Sequence, residues 1–269
     1  MKKMYLILLL ISTMILLISC SNDKDIIKVG MDLRYPPFET VDKKDQPEGI
    51  SVDIANEFGK FIGRKVKIVP MKFPNLIISL QNGTIDVIIA SLSITEERRE
   101  MVDFSEPYFH FKIISLLNKE FALNNDLTED SKIEDLLEIS NAKYTGLNGQ
   151  VSTTIPESYG KTVKEVDEIS TAIEEVSQGT SDVLLMSASP VVGGHKSHKD
   201  TTMVLWDPFE SSPIAMGVKK GNSELLEKAN EFINTFNNKG GMYEMLKDKW
   251  DDIILEELER YGLDFYIEK

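Results

Sequence analysis

One pattern occurs twice along this chain of 269 residues. The first copy, residues 76–93, reads LIISLQNGTIDVIIASLS, and the second copy, residues 172–189, reads AIEEVSQGTSDVLLMSAS. Each copy runs from an amphipathic segment through Gly-Thr and an aspartate into an apolar run, and then to Ser-x-Ser. A glycine just after a helical pattern is typical of a helix end, and a continuous apolar run is typical of a strand buried on both faces. The repeat therefore predicts two similar α/β units.

The end of each copy predicts where a ligand would bind. Ligands of parallel α/β sheets bind beyond the carboxyl ends of the strands, and both copies have paired serines at that point. We interpret these hydroxyls as two walls of one cleft between two lobes. The alternative is that two similar units need similar turns, and that the serines only satisfy turn amides. The serines are Ser91, Ser93, Ser187 and Ser189.

The N-terminus has the pattern of an export signal. Two lysines precede an uncharged apolar stretch, residues 4–19, which is short for a membrane span of about 20 residues. Residues 17–20, Leu-Ile-Ser-Cys, resemble the lipobox of bacterial lipoproteins, which implies a signal peptide over residues 1–19 and acyl chains such as palmitate on Cys20. We expect an exported, membrane-anchored lipoprotein of the cell envelope, in the periplasm or on the outer face of the membrane. An uncleaved signal anchor is the alternative.

Composition narrows the class of protein further. Cys20 is the only cysteine, so an intramolecular disulfide is excluded, and a single cysteine at this boundary favours lipidation over redox or metal chemistry. The formal net charge of −14 argues against nucleic acid as a partner, because such binding needs clustered lysine and arginine. No Gly-, Ser- or Pro-rich linker separates two domains, so we expect the lobes to share strands that cross between them.

The remaining periodicity predicts individual elements. Ser51 has the position of a helix N-cap, and alternating apolar residues indicate strands. Predicted strands cover residues 27–31, 66–69, 113–117 and 144–147, and predicted helices cover residues 51–61, 171–178, 223–236 and 242–250.

Several motifs resemble one known family. The chain resembles the family 3 solute-binding proteins of amino-acid ABC transporters. The resemblance implies an α/β, two-lobed periplasmic binding protein fold of type II with two hinge strands. It places lobe 1 at residues 26–110 plus 216–269 and lobe 2 at residues 111–215. The motifs are GMDLRYPPFE at residues 30–39, GISVDIA at 49–55, SLSITEER at 91–98, VDFSEPY at 102–108, GVKKGN at 217–222 and KDKW at 247–250.

Arg98 is an unusual residue for its position. Thr95 has the position of an N-cap, which places Arg98 in the first helical turn, where the helix dipole disfavours a positive charge. A guanidinium matches a carboxylate that accepts two parallel hydrogen bonds, and the resemblance implies that Arg98 clamps the α-carboxylate of the ligand. A surface ion pair with Glu97 or Glu100 is the alternative.

The resemblance also implies further ligand contacts. Tyr35 and Phe73 correspond to walls for the ligand side chain, Asp32 to a contact with a cationic or amide group, and Ser91 and Ser93 to groups that hold the α-amino and α-carboxylate groups. Loop packing for Tyr35, core packing for Phe73 and capping of loop amides by Asp32 are the alternatives. The full predicted set is Asp32, Tyr35, Phe73, Ala90, Ser91, Ser93, Arg98, Gln150, Val151, Ser152 and Ser187.

Lobe 2 departs from the family pattern at two places. Gln150 replaces a hydroxyl residue of the anion-binding loop, although backbone amides there could still bind a carboxylate. The family has an acidic partner for the α-amino group near Ser187 or Ala188, and neither residue is a carboxylate. Because a buried ammonium without a counter-charge is costly, we expect the amino group to be held by carbonyls and hydroxyls or by Asp32, or to be absent from the ligand.

The expected function is a lipid-anchored receptor for a polar amino acid or related carboxylate, without cofactor or metal. Its expected partners are that ligand, an ABC permease with its ATPase, and the membrane through Cys20, and we expect a monomer. Serines stand singly, no cysteine nucleophile or phosphate loop is present, and His195 and His198 lie in a segment interpreted as a polar loop. A cyclohexadienyl (prephenate or arogenate) dehydratase-like enzyme on the same fold, or a non-transport sensor or adhesin, is the alternative.

Overall fold

The computed structural model describes residues 25–267, in which helices pack against two five-stranded sheets. The predicted signal peptide and Cys20 lie outside the described residues. The strands are β1 (Ile26–Met31), β2 (Thr40–Val41), β3 (Pro47–Glu48), β4 (Lys65–Pro70), β5 (Val87–Ile88), β6 (Val102–Phe104), β7 (Phe109–Asn118), β8 (Tyr144–Leu147), β9 (Val163–Val166), β10 (Val183–Ser187), β11 (Thr202–Ile214) and β12 (Gly217–Lys219).

The helices alternate with these strands, as expected of an α/β chain. They are α1 (Ile50–Phe61), α2 (Leu76–Gln81), α3 (Glu96–Met101), α4 (Lys119–Asn124), α5 (Ile133–Glu138), α6 (Val151–Ser158), α7 (Ile169–Ser177), α8 (Ala188–Ser197), α9 (Ser223–Ile233), α10 (Met242–Leu258) and α11 (Asp264–Ile267). No helix among residues 25–267 is long and apolar enough to cross a membrane.

Two long strands connect the sheets. The first sheet has the order β4-β1-β5-β12-β6, and the second has the order β11-β7-β10-β8-β9. The chain leaves the first sheet after β6, enters the second through β7, and returns from β11 to β12. Strands β7 and β11 pair antiparallel over most of their length, with a register shift between Leu205 and Glu210. The predicted two-lobed α/β architecture with two crossing strands is confirmed, and the predicted lobe boundaries at residues 110 and 215 stay a prediction.

The strands next to the centre of each sheet run parallel. Strand β1 pairs in parallel with β4 and β5, and strand β8 pairs in parallel with β9 and β10. The carboxyl ends of such strands meet at one edge of a sheet, where α/β proteins bind ligands. The loops after β1, β5, β8, β9 and β10 are therefore the segments in which a site is expected.

The two copies of the repeat adopt the same turn. In the first copy, the carboxylate of Asp86 accepts a hydrogen bond from the backbone N–H of Lys28 in β1 (2.8 Å). In the second copy, the carboxylate of Asp182 accepts one from the backbone N–H of Lys143, just before β8 (2.8 Å). Each aspartate thus ties the start of its own strand to the neighbouring parallel strand.

The predicted N-cap at Ser51 is wrong. Helix α1 begins at Ile50, and its N-cap is Gly49, whose φ of 132° lies in a region that favours glycine. Ser51 is already inside the helix, and its hydroxyl donates to the buried carboxyl group of Glu39 (2.6 Å). The tertiary partner of the hydroxyl therefore decided its role.

Two further expectations need correction at the C-terminal side. Helix α10 continues beyond Trp250 to Leu258, because Ile254 and Leu258 extend the buried stripe of the helix with its spacing of four residues.

His195 lies in helix α8 and not in a polar loop, and its Nδ1 contacts the hydroxyl of Thr202 (3.0 Å). Within residues 25–267 no group of three or more His, Cys, Asp or Glu residues could hold a metal ion.

Candidate ligand-binding cleft

A cavity lies between the two sheets, where the loops after the parallel strands meet. It encloses about 740 Å³ of empty space, part of which is open solvent. Every predicted binding residue except Ser152 lines it: Asp32, Tyr35, Phe73, Ala90, Ser91, Ser93, Arg98, Gln150, Val151 and Ser187.

Ser152 does not line the cavity. Its side chain is fully buried, and its hydroxyl accepts a hydrogen bond from the backbone N–H of Leu147 at the end of β8 (2.9 Å). The hydroxyl therefore joins α6 to the strand before it. Gln150 and Val151, the two residues before it, line the cavity.

Arg98 lines the cavity from the first lobe. As predicted, Thr95 caps α3, because its hydroxyl accepts from the backbone N–H of Arg98 (3.2 Å). The guanidinium donates to the carbonyl oxygen of Ser93 (2.9 Å) and, across the cleft, to that of Gly149 (2.8 Å). It also lies over the ring of Phe73, 5.1 Å from the centroid.

The guanidinium of Arg98 has no carboxylate partner among residues 25–267. Its side chain is only 7% exposed, and burial lowers its pKa to about 10, which leaves it positively charged at neutral pH. The ion pair in this helix is formed instead by Arg99, with Glu96 (3.5 Å). Because moving a charged side chain out of water costs several kcal/mol, a buried guanidinium bound only to carbonyls is suited to an anion from outside the chain.

Asp32 lines the cavity, but its oxygens already accept hydrogen bonds. Arg34 donates to both of them, from Nε to Oδ1 (2.7 Å) and from Nη2 to Oδ2 (2.6 Å). The backbone N–H of Phe73 donates to Oδ2 as well (2.9 Å), as the alternative interpretation of Asp32 expects. The sequence reasoning missed Arg34, although it stands between two predicted site residues.

Glu39 is a buried acid on the cavity wall that the sequence reasoning also missed. Its carboxyl group accepts from the hydroxyls of Ser51 (2.6 Å) and Ser91 (2.8 Å). Burial raises the pKa of Glu39 to about 8, although both hydroxyl bonds act in the opposite direction. Ser91 has a φ of 49°, an uncommon left-handed conformation for serine that holds its hydroxyl against this carboxyl group.

The wall from the second lobe is mainly apolar. Leu147, Ile169 and Met186 line it, and Ser187 supplies a hydroxyl that hydrogen-bonds the phenol of Tyr35 across the cleft.

Two acidic residues nevertheless line the cavity from the second lobe. Asp167 and Glu168 come directly after the carboxyl end of β9, and Glu168 forms ion pairs with Arg34 and with Lys72 (3.2 Å for Lys72). Sequence reasoning missed them because β9 reads Val-Lys-Glu-Val, which shows neither an apolar run nor an apolar alternation, so the strand before them was not predicted. The lining residues outside the predicted set are Arg34, Glu39, Phe111, Ile113, Leu147, Asp167, Glu168, Ile169 and Met186.

Comparisons with known proteins identify the family. The sequence model of the bacterial extracellular solute-binding proteins, family 3, matches residues 27–252. The L-cystine-binding protein TcyJ of Escherichia coli (strain K12) is 25% identical over 231 residues, covering 85% of this chain and 84% of that protein. The ABC transporter glutamine-binding protein GlnH of Bacillus subtilis (strain 168) is 28% identical over 238 residues, covering 85% of this chain and 81% of that protein.

Solved structures agree with this assignment. An ancestral arginine-binding protein bound to arginine superposes with a TM-score of 0.70 at 29% identity, covering 83% of this chain and 97% of that one. This similarity of fold and the family match over most of the chain lead to the same conclusion. The chain belongs to the bacterial extracellular solute-binding proteins of family 3.

Proposed function

We propose that this protein is the substrate-binding component of an ABC importer and captures an amino acid or a related small carboxylate between its lobes. The observation that carries the proposal is Arg98, a buried cation on the cavity wall whose hydrogen-bond partners are carbonyl oxygens. A ligand carboxylate would supply the missing negative charge and accept two parallel hydrogen bonds from the guanidinium.

The remaining predicted contacts have complementary roles in the proposal. Ser91 and Ser93 line the same wall as Arg98, and Tyr35 and Phe73 provide aromatic surface for the ligand side chain. The lobes already touch across the cleft, from Arg98 to the carbonyl oxygen of Gly149, so the ligand would enter by opening of the lobes about β7 and β11 and be held when they close. Hinge closure around ligands is the usual behaviour of periplasmic binding proteins.

Calorimetry of ligand binding tests the role of Arg98. We expect Arg98→Ala to weaken binding of the best ligand from a panel of amino acids by roughly 30-fold to several-thousand-fold, because loss of one partner of a desolvated charge pair costs about 2–5 kcal/mol. Arg98→Lys should recover only part of the affinity, since an ammonium cannot make the paired contact.

Arg99→Ala is the matched control, because Arg99 is the next residue of the same helix and its side chain is 51% exposed. Equal affinity of wild type and Arg98→Ala would contradict the proposed clamp. Recovery of the ligand unchanged after long incubation would support a receptor, and conversion to a dehydrated product would support the dehydratase-like alternative.

We further propose that Cys20 carries the lipid anchor and that an ABC permease with its ATPase receives the ligand. One acyl chain gives marginal membrane binding, whereas two give stable attachment. In a bacterial host, wild type and a Ser21→Ala control should sediment with membranes, and Cys20→Ser should appear in the soluble fraction. Membrane association of Cys20→Ser equal to wild type would exclude lipidation as the anchor.

A further inference from the structure

Asp32 provides negative charge on the cavity wall next to the backbone of Phe73. It lies directly after β1, its side chain is 13% exposed, and the backbone N–H of Phe73 orients its carboxylate. A carboxylate in such a position attracts cations, because its interaction with a positive charge is stronger in a partly buried site than in water. Without another partner, Asp32 would favour a ligand with a cationic side chain.

The chain itself supplies that cation. Arg34 makes the paired contact with both oxygens of Asp32, at 2.7 and 2.6 Å, and its third nitrogen donates to Glu168 of the second lobe. Together with the N–H of Phe73, the guanidinium occupies most of the hydrogen-bonding capacity of the Asp32 carboxylate.

The acidic residue on the opposite wall is neutralised in the same way. Glu168 contacts Arg34 and also the ammonium of Lys72 (3.2 Å), and these two cations hold the pKa of Glu168 below its ordinary value. Thus both carboxylates, Asp32 and Glu168, face cations of the protein. A cationic ligand group would have to displace Arg34 and would then remain next to it.

We propose that Arg34 is a specificity-determining residue, which makes the receptor select amino acids with neutral or acceptor-bearing side chains over those with cationic side chains. This inference rests on the proposed function. The remaining N–H groups of Arg34 can donate to an amide, urea or carboxylate oxygen of the ligand side chain. Of the other acids on the cavity wall, Glu39 is held by two hydroxyls, and Asp167 is exposed, so solvent screens its charge.

L-Arginine and L-citrulline are suitable probes, because they share their shape and differ in the charge of the side chain. We expect wild type to bind citrulline at least about tenfold more tightly than arginine, which corresponds to about 1.4 kcal/mol. Arg34→Met should reverse or abolish this preference, because it leaves Asp32 available to the ligand guanidinium. Adding Asp32→Asn to Arg34→Met should remove the gain in arginine affinity.

Lys72→Met is the matched control, since Lys72 contacts Glu168 but neither contacts Asp32 nor lines the cavity. Its ratio of arginine to citrulline affinity should stay within about twofold of wild type, which is less than about 0.5 kcal/mol. Tighter binding of arginine than of citrulline by wild type, or an unchanged ratio in Arg34→Met, would overturn this inference alone. Absence of binding of any amino acid by any of these proteins would overturn the proposed function as well.

Discussion

The two copies of the repeat share their turns and differ in the segments that come after their strands. Asp86 and Asp182 make the same hydrogen bond to the neighbouring strand, at the same distance of 2.8 Å. After β5, the first copy continues through an irregular segment in which Ser91 donates to the carboxyl group of Glu39. After β10, the second copy enters α8 directly, and Ser187 pairs with the phenol of Tyr35.

The last serine of each copy shows the difference most clearly. Ser93 lines the cavity, and its carbonyl oxygen accepts from Arg98. Ser189 lies inside α8, bonds the hydroxyl of Tyr266 (2.9 Å) and is not among the residues that line the cavity. An aspartate and a turn of fixed geometry determine the start of each strand locally, whereas the segment after the strand determines whether a serine faces a ligand.

The largest expected effect concerns the carboxyl group that only the first copy contacts. Glu39 has a pKa of about 8 in the folded protein against an ordinary 4.5, so the folded state binds more protons than the unfolded state between these values. The contribution of the protonated Glu39 to the free energy of unfolding is fully present below about pH 4.5 and is lost as pH rises to about 8. The loss is on the order of several kcal/mol. Glu39→Gln should therefore flatten the fall in the free energy of unfolding over this window.

Denaturant unfolding at about pH 5 and about pH 8.5 measures the fall in the free energy of unfolding, because most of the pH window lies between these two values. Glu96→Gln serves as the control, because the side chain of Glu96 is 95% exposed. This substitution should leave the pH dependence of the free energy of unfolding as it is in wild type. If wild type and Glu39→Gln lose the same free energy of unfolding between these pH values, the buried carboxyl group is not the cause.

A smaller effect tests the equivalence of the two turns. Asp86→Ala and Asp182→Ala should each lower the free energy of unfolding by about 1.5–3 kcal/mol, because each removes a charged acceptor from a backbone N–H. The loss for Asp86→Ala should be slightly larger, since Arg64 lies 3.9 Å from this carboxylate. Urea unfolding of both variants provides the measurement, and a loss at one turn only would show that the repeat is not equivalent in the two lobes.

The smallest expected effect concerns ligand affinity at the serines. Ser91→Ala should weaken binding by about 3- to 10-fold, as loss of one ordinary hydrogen bond of about 0.5–1.5 kcal/mol implies. Ser189→Ala should leave affinity unchanged, because its hydroxyl bonds Tyr266 and does not line the binding cavity. Calorimetry with the same ligand measures the affinity of both variants. Equal losses of affinity in Ser91→Ala and Ser189→Ala would contradict the proposed difference between the two copies.

Sequence patterns predicted those features that depend on neighbouring residues. The Gly-Thr turns, the strands after them and the N-cap at Thr95 depend on local backbone geometry and on hydrogen bonding within a few residues. Ser51 shows the limit of such rules. It has the residue type and sequence position typical of an N-cap. In the structure Gly49 is the N-cap instead, and the hydroxyl of Ser51 donates to Glu39, twelve residues away.

The α/β architecture, the repeat and the position of Arg98 at the start of a helix could be predicted from residue patterns, since these features depend on periodicity and short-range bonds. Three features became visible only in the folded chain: Arg34 neutralises Asp32, Glu39 is buried against two hydroxyls, and Arg98 donates to carbonyl oxygens and not to a carboxylate. The charge and hydrogen-bonding capacity of these side chains are properties of the residue type. Which groups meet them depends on segments far apart in the chain, such as β1 and the loop after β9, and therefore on how the two lobes pack together.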